Sequence, residues 1–247
     1  MRERQVDIST DDGLMTTFVC HPERDGPHPA LLFFMDAWGI REELRDMARR
    51  YATVGYYVLL PNLYYRAGFL EPGPIPHWDG SGTPPQSPVS DAHAQLNVAR
   101  VMADTRSIFA YMDTDPAACR TPGACVGYCM SGRFSVNAAA RYPDRIVAAA
   151  SHYGTQLMTS APDSPHLMAR QARAEFYFSC AEMDHWAPLE MVHRLRADLA
   201  AGGVKAEVEV YPGVEHAFAF PQRQTYNRAA AERHWERMFS LLRRCLG

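Results

Sequence analysis

Ala124-Cys125-Val126-Gly127-Tyr128-Cys129-Met130-Ser131-Gly132 is the stretch that decides the fold of this 247-residue chain. Ala124 to Val126 is a short apolar run of the kind a buried strand shows, and a helical pattern from about Ser131 to Arg141 follows at once. Between them stands a possible nucleophile with small residues two places before and two after. A nucleophile presented on a sharp strand-to-helix turn sits in strained backbone geometry, so a bulky neighbour at either place would collide with it. Gly127 and Ser131 meet that condition around Cys129. The competing registration makes Ser131 the nucleophile, but its flanking residues would be Cys129 and Arg133, and an arginine would crowd the turn. The thiol is therefore the preferred reading, and the amide dipoles at the helix start favour its thiolate form.

Such a nucleophile calls for an acid and then a histidine base later in the chain. Asp184 lies just past the strand pattern Glu175 to Cys180, and His216 just past Val204 to Tyr211. Glu182 is the rival to Asp184 for the acid. The other histidines have blander readings, as loop or mid-helix residues, and no pair has the spacing of a zinc site. Neither a metal nor any other cofactor is expected.

Working outward, Gln5 to Ser9 and Thr16 to Cys20 read as a hairpin about Asp11-Asp12-Gly13. Ala30 to Met35, Tyr56 to Leu60 and Ile146 to Ala150 are further strand patterns. Helices are expected at about 42–54, 91–112, 131–141, 189–201 and 226–242. Strands alternating with helices imply an α/β protein with a mainly parallel sheet covered on both faces. With no low-complexity linker and no internal repeat, the expectation is one domain over residues 1–247. Glu71 to Ser90 breaks the rhythm with Pro72, Pro74, Pro76, Pro84, Pro85 and Pro88, so it reads as a long loop. It leaves the carboxyl end of a strand. It is either a surface excursion or a wall or lid carrying Phe69, His77 or Trp78 toward a substrate.

Lys plus Arg number 25 against 28 Asp plus Glu, a net charge of -3, which offers no field for a polyanion or an acidic bilayer. Nucleic acid and membrane are thus not expected partners. The six cysteines form no CxxC pair, and the first residues lack the apolar core of a signal peptide. A reducing, cytoplasmic location is the expectation. The oligomeric state is open.

Gly-Tyr-Cys-x-x-Gly at 127–132, Asp-His-x-x-Pro at 184–188 and Gly-x-x-His-x-Phe at 213–218 together resemble the dienelactone hydrolase (carboxymethylenebutenolidase) family. Those are α/β-hydrolases with a cysteine nucleophile. Met35-Asp36-Ala37-Trp38-Gly39 and Leu60-Pro61-Asn62-Leu63-Tyr64 extend the resemblance over nearly the whole chain. It implies a Cys129-His216-Asp184 triad acting on a small ester or lactone, with a thioester intermediate. It also implies an oxyanion hole made by the backbone N–H groups of Ala37 and Met130. The family carries a glutamate where Asp36 stands, in contact with the resting thiol. Asp36 either reaches Cys129 in that role or caps the helix that begins near Ile40. Two family arginines that hold a substrate carboxylate have no match at their places, where Phe220 stands four residues after His216, although Arg66 and Arg223 are nearby in sequence. Trp38, Tyr64, Phe69 and Trp78 are expected to line the pocket together with His152, Trp186, Phe218 and Phe220. A catalytically silent ligand-binding protein, a thioesterase and a dehalogenase are the alternative functions for such a scaffold.

Overall fold

Continuous apolar runs become interior strands because, with a strand on each side and helices above and below, they have no face to show to water. The computed structural model describes residues 1–68, 71 and 88–247. Phe69, His77, Trp78 and most of the proline-rich segment lie outside the described residues. Strands β1 (Arg2–Thr10) and β2 (Gly13–His21) form the opening hairpin, with Thr10 paired to Gly13 across its turn. β2 runs antiparallel to β4 (Tyr57–Pro61). Beyond it β3 (His28–Phe34), β5 (Ala118–Tyr128), β6 (Ile146–His152), β7 (Glu175–Met183) and β8 (Ala206–Glu215) are all parallel. The order across the eight-stranded sheet is β1-β2-β4-β3-β5-β6-β7-β8. After β3 the chain goes outward to β4, then returns past β3 to β5. That reversal opens a crevice at the carboxyl ends of β3 and β5, where open α/β sheets bind ligands.

The helices are α1 (Glu42–Thr53), α2 (Pro88–Ala94), α3 (Val98–Met112), α4 (Gly132–Arg141), α5 (Pro165–Ala169), α6 (Leu189–Ala201) and α7 (Arg228–Leu246). They cover both faces, as two residues of β5 demonstrate. The Cys125 thiol donates to the Ser135 carbonyl of α4 at 3.1 Å. Tyr128, three places on and so on the opposite face, bonds Tyr51 of α1 at 3.0 Å and His234 of α7 at 2.8 Å. Around Tyr128 lies an aromatic core of Phe33, Tyr51, Tyr153, Phe220 and Trp235, with ring centroids 4.8–6.0 Å apart. Each such buried ring is worth roughly 1.5–3 kcal/mol of transfer free energy.

One expectation needs correction. The helix expected over 91–112 is two helices, α2 and α3. Asn97 takes an extended conformation between them and its side chain accepts the Arg100 N–H at 2.9 Å, so a helix start interrupts the apolar periodicity. The short α5 was not foreseen; Pro165 at its first turn is its signal. Among the described residues no helix is long and apolar enough to cross a membrane, and no cluster of three or more His, Cys, Asp or Glu could hold a metal ion.

Candidate active site

Six neighbouring strands each release a side chain at the same edge. Tyr64 follows β4, Asp36 follows β3, Cys129 follows β5, Tyr153 follows β6, Asp184 follows β7 and His216 follows β8.

Cys129 has φ +55°, in the left-handed region, and begins a single 3-10 turn (Cys129–Ser131) that leads directly into α4. The turn is possible because its neighbours are small. A Cβ on Gly127 would run into the Ser131 carbonyl, and one on Gly132 would strike the Ser151 hydroxyl and approach Gly154 Cα to 2.7 Å. The Thr155 N–H donates to the Cys129 carbonyl at 3.1 Å and ties the turn to the loop after β6. Ser131, the rival nucleophile, is fully buried and its hydroxyl donates to the Met35 carbonyl, so it braces the turn from behind. Cys129 is only half-buried. Cys125 and Cys180 are buried inside strands, and burial pushes the Cys180 thiol up to about 12.

The His216 Nδ1 and the Asp184 Oδ2 are 2.7 Å apart. Asp184 is itself held, with Oδ1 accepting the N–H groups of Trp186 at 2.9 Å and Ala187 at 3.2 Å. The other imidazole nitrogen, Nε2, is buried with no hydrogen bond of good geometry, although the ring interacts with the Cys129 sulfur. Catalytic hydrogen bonds are commonly long or misaligned until a substrate closes them. Burial opposes a positive charge on His216. The interaction with Cys129 and the bond to Asp184 outweigh it, and the imidazole is raised to about 10. A protonated imidazole beside the Cys129 sulfur is the state this arrangement favours for His216. Glu182, the rival acid, is exposed and accepts the Gly213 N–H at 2.7 Å, which supports the loop before His216 rather than its ring.

Asp36 is placed differently from either expectation. Its two oxygens receive a bidentate pair from Arg41 at 2.7 and 3.0 Å, the Trp38 N–H at 3.1 Å and Arg223 at 3.4 Å, with no hydrogen bond to the thiol. Nor does it cap α1, whose first turn has no side-chain cap. A buried carboxylate one methylene short of glutamate is satisfied by the nearest guanidinium. Arg41 also binds Glu43 at 2.8 and 3.0 Å, and Glu43 accepts the Gln222 N–H at 2.7 Å. This buried cluster joins the loop after β3 to the loop after His216.

Of the other expected pocket residues, Trp186 is exposed at the rim beside His185, and Trp38 lies under the Arg223 guanidinium at 5.0 Å. Tyr64 is buried, its hydroxyl 2.8 Å from the Ala37 carbonyl. Three expectations are corrected. His152 is fully buried and bonded to the Ser179 hydroxyl at 2.8 Å, while Phe218 and Phe220 pack under the site against Tyr153. They are core because their rings point back into the aromatic cluster.

Sequence reading missed Arg41, Glu43, Tyr153 and Arg133. Tyr153 has its ring 5.1 Å from that of His216 and a buried hydroxyl without a partner. Arg133 and Arg223 both interact with Cys129, and each has a buried, unpartnered Nε. The only sequence signal for these was position beside a motif.

The dienelactone hydrolase family model matches residues 15–246. This chain belongs to the dienelactone hydrolase family. An Escherichia coli K12 protein named "Putative carboxymethylenebutenolidase" is 30% identical over 233 residues, covering 91% of this chain and 80% of that one. A Methylorubrum extorquens protein of the same name is 27% identical over 237 residues, covering 95% and 78%. The crystal structure of a "Putative Dienelactone Hydrolase" from Klebsiella pneumoniae superposes with a TM-score of 0.85 at 25% identity, covering 97% of each chain. The α/β-hydrolase fold and the dienelactone hydrolase resemblance are thereby established.

Proposed function

We propose that this chain hydrolyses small carboxylic esters or lactones through Cys129, His216 and Asp184. The Cys129 thiolate attacks the substrate carbonyl, and the oxyanion that develops is received by the N–H groups of Ala37 and Met130. The His216 imidazolium gives its proton to the leaving alkoxide as the C–O bond breaks, leaving a thioester. His216 then takes a proton from water, hydroxide adds to the thioester carbonyl, and the sulfur leaves as thiolate while the acid departs. Asp184 holds the imidazole tautomer and stabilises its cation. The observation that carries this reading is the 2.7 Å Asp184–His216 bond beside a left-handed Cys129 at a helix start. Family membership supports the hydrolase class.

Cys129→Ala is expected to abolish turnover of p-nitrophenyl acetate with the circular dichroism spectrum unchanged, while Ser131→Ala retains turnover at reduced stability. Retained turnover in the first variant, or its loss only in the second, would assign the chemistry elsewhere.

A further inference from the structure

The two arms assigned to the oxyanion hole come from different strands, Ala37 after β3 and Met130 after β5, so something must fix them relative to each other. One side chain touches both. The Tyr64 hydroxyl donates to the Ala37 carbonyl at 2.8 Å and lies 3.6 Å from the Met130 sulfur. Tyr64 is itself anchored, since its backbone N–H donates to Asn62 Oδ1 at 3.0 Å and its ring is almost wholly buried. The peptide between Ala37 and Trp38 is gripped at both ends, its carbonyl by Tyr64 and its N–H by Asp36 at 3.1 Å, with Asp36 locked by Arg41. That plane shares the Ala37 Cα with the preceding peptide, so holding it leaves only the φ and ψ rotations of Ala37 between the grip and the Ala37 N–H and restrains where that N–H points.

We propose that Tyr64 is a positioning residue for the oxyanion hole, bridging its two arms, with Asp36 as the second grip on the Ala37–Trp38 peptide rather than an activator of the thiol. The proposal rests on Cys129 as nucleophile and on those two N–H groups. Burial, followed by the nearby charges of Asp36 and Cys129, raises the phenol well above its ordinary range, so it remains a donor wherever the enzyme works. Arms that drift lose transition-state stabilisation without loosening the substrate's ground-state binding.

The test compares wild type, Tyr64→Phe and Cys129→Ala in three measurements: kcat and KM for p-nitrophenyl acetate, the rate of Cys129 alkylation by iodoacetamide, and hydrogen exchange of the backbone over residues 36–41. Alkylation needs the thiolate but no oxyanion hole. Tyr64→Phe is expected to lower kcat about 10- to 100-fold with KM within about threefold. Its alkylation rate and the pH dependence of that rate should match wild type, while the amides of 36–41 exchange faster. An unchanged kcat, a change in KM alone, a parallel fall in alkylation, or unaltered exchange would each overturn the Tyr64 role. Full turnover in Cys129→Ala would instead overturn the nucleophile on which the proposal stands.

Discussion

At the scale of single residues, the site is defined by backbone strain and by polar atoms left without partners. Cys129, Tyr153 and Ala217 hold φ of +55°, +38° and +67°, and strain of this kind costs about 1–3 kcal/mol per residue. Gly127 is the least replaceable. Gly127→Ala would force the strand away from the Ser131 carbonyl, and a loss of at least about 3 kcal/mol in urea unfolding, with loss of activity, is expected. A variant of wild-type stability would show the turn to be looser than described. Tyr153→Phe should go the other way, because removing a buried hydroxyl without a partner relieves a desolvation cost. A gain of about 1 kcal/mol is expected, and a clear loss would mean the hydroxyl is bonded in solution. Sequence reading singled out Cys129, with Asp184 and His216, because a strand-to-helix turn demands a local pattern. It picked His152 over Tyr153 because one step along a strand end exchanges the core side for the site side, and no local signal marks where the strand stops.

Elements succeed or fail on their ends. Most strands and helices were legible, since apolar periodicity is a property of the segment itself. The expected single helix over 91–112 failed at Asn97, whose cap acts over three residues and outweighs a periodicity summed over many. The start of α1 hides a different lesson. Arg41 and Glu43 carry no sign in the sequence of being anything but solvent-facing charges, and Asp36 none of its partner Arg41, yet all three are buried. Only the return of the loop 217–227 from the far end of the chain buries them, so nothing within the segment could announce it. Arg41→Met would leave buried Glu43 without its cation and buried Asp36 with only the longer contact to Arg223, and an unfolding cost of about 3–5 kcal/mol is expected from denaturant titration. A cost under about 1 kcal/mol would show the cluster to be hydrated.

For the whole molecule, histidines set the response to pH, in two directions. His216 is raised to about 10, so the stability it adds is present below its unfolded value of about 6.5 and is lost as pH rises through 10. His152 and His234 are fully buried, and burial foremost lowers both, His234 to about 3. The unfolded chain takes up protons that these two refuse, so stability falls as pH drops below about 6.5, by up to about 1.4 kcal/mol per unit for each. Urea titrations should show the decline already between about pH 6.5 and 5, above the carboxylate range; a flat profile there would contradict it.

Alternating strands and helices limit a sheet to a handful of strand orders, which is why a mainly parallel sheet covered on both faces could be read from the sequence while its strand order could not. What the sheet does for function is to bring residues 36, 64, 129, 184 and 216 to one edge. In the proposed mechanism Cys129 becomes acylated there. Rapid mixing with p-nitrophenyl acetate, an acid quench before steady state and mass spectrometry of the digest test it most directly. The predicted result is an acetyl group on Cys129, removed by neutral hydroxylamine as a thioester would be. An acetyl group on Ser131, or a quenched enzyme with no acyl group during a measured burst of nitrophenol, would contradict it.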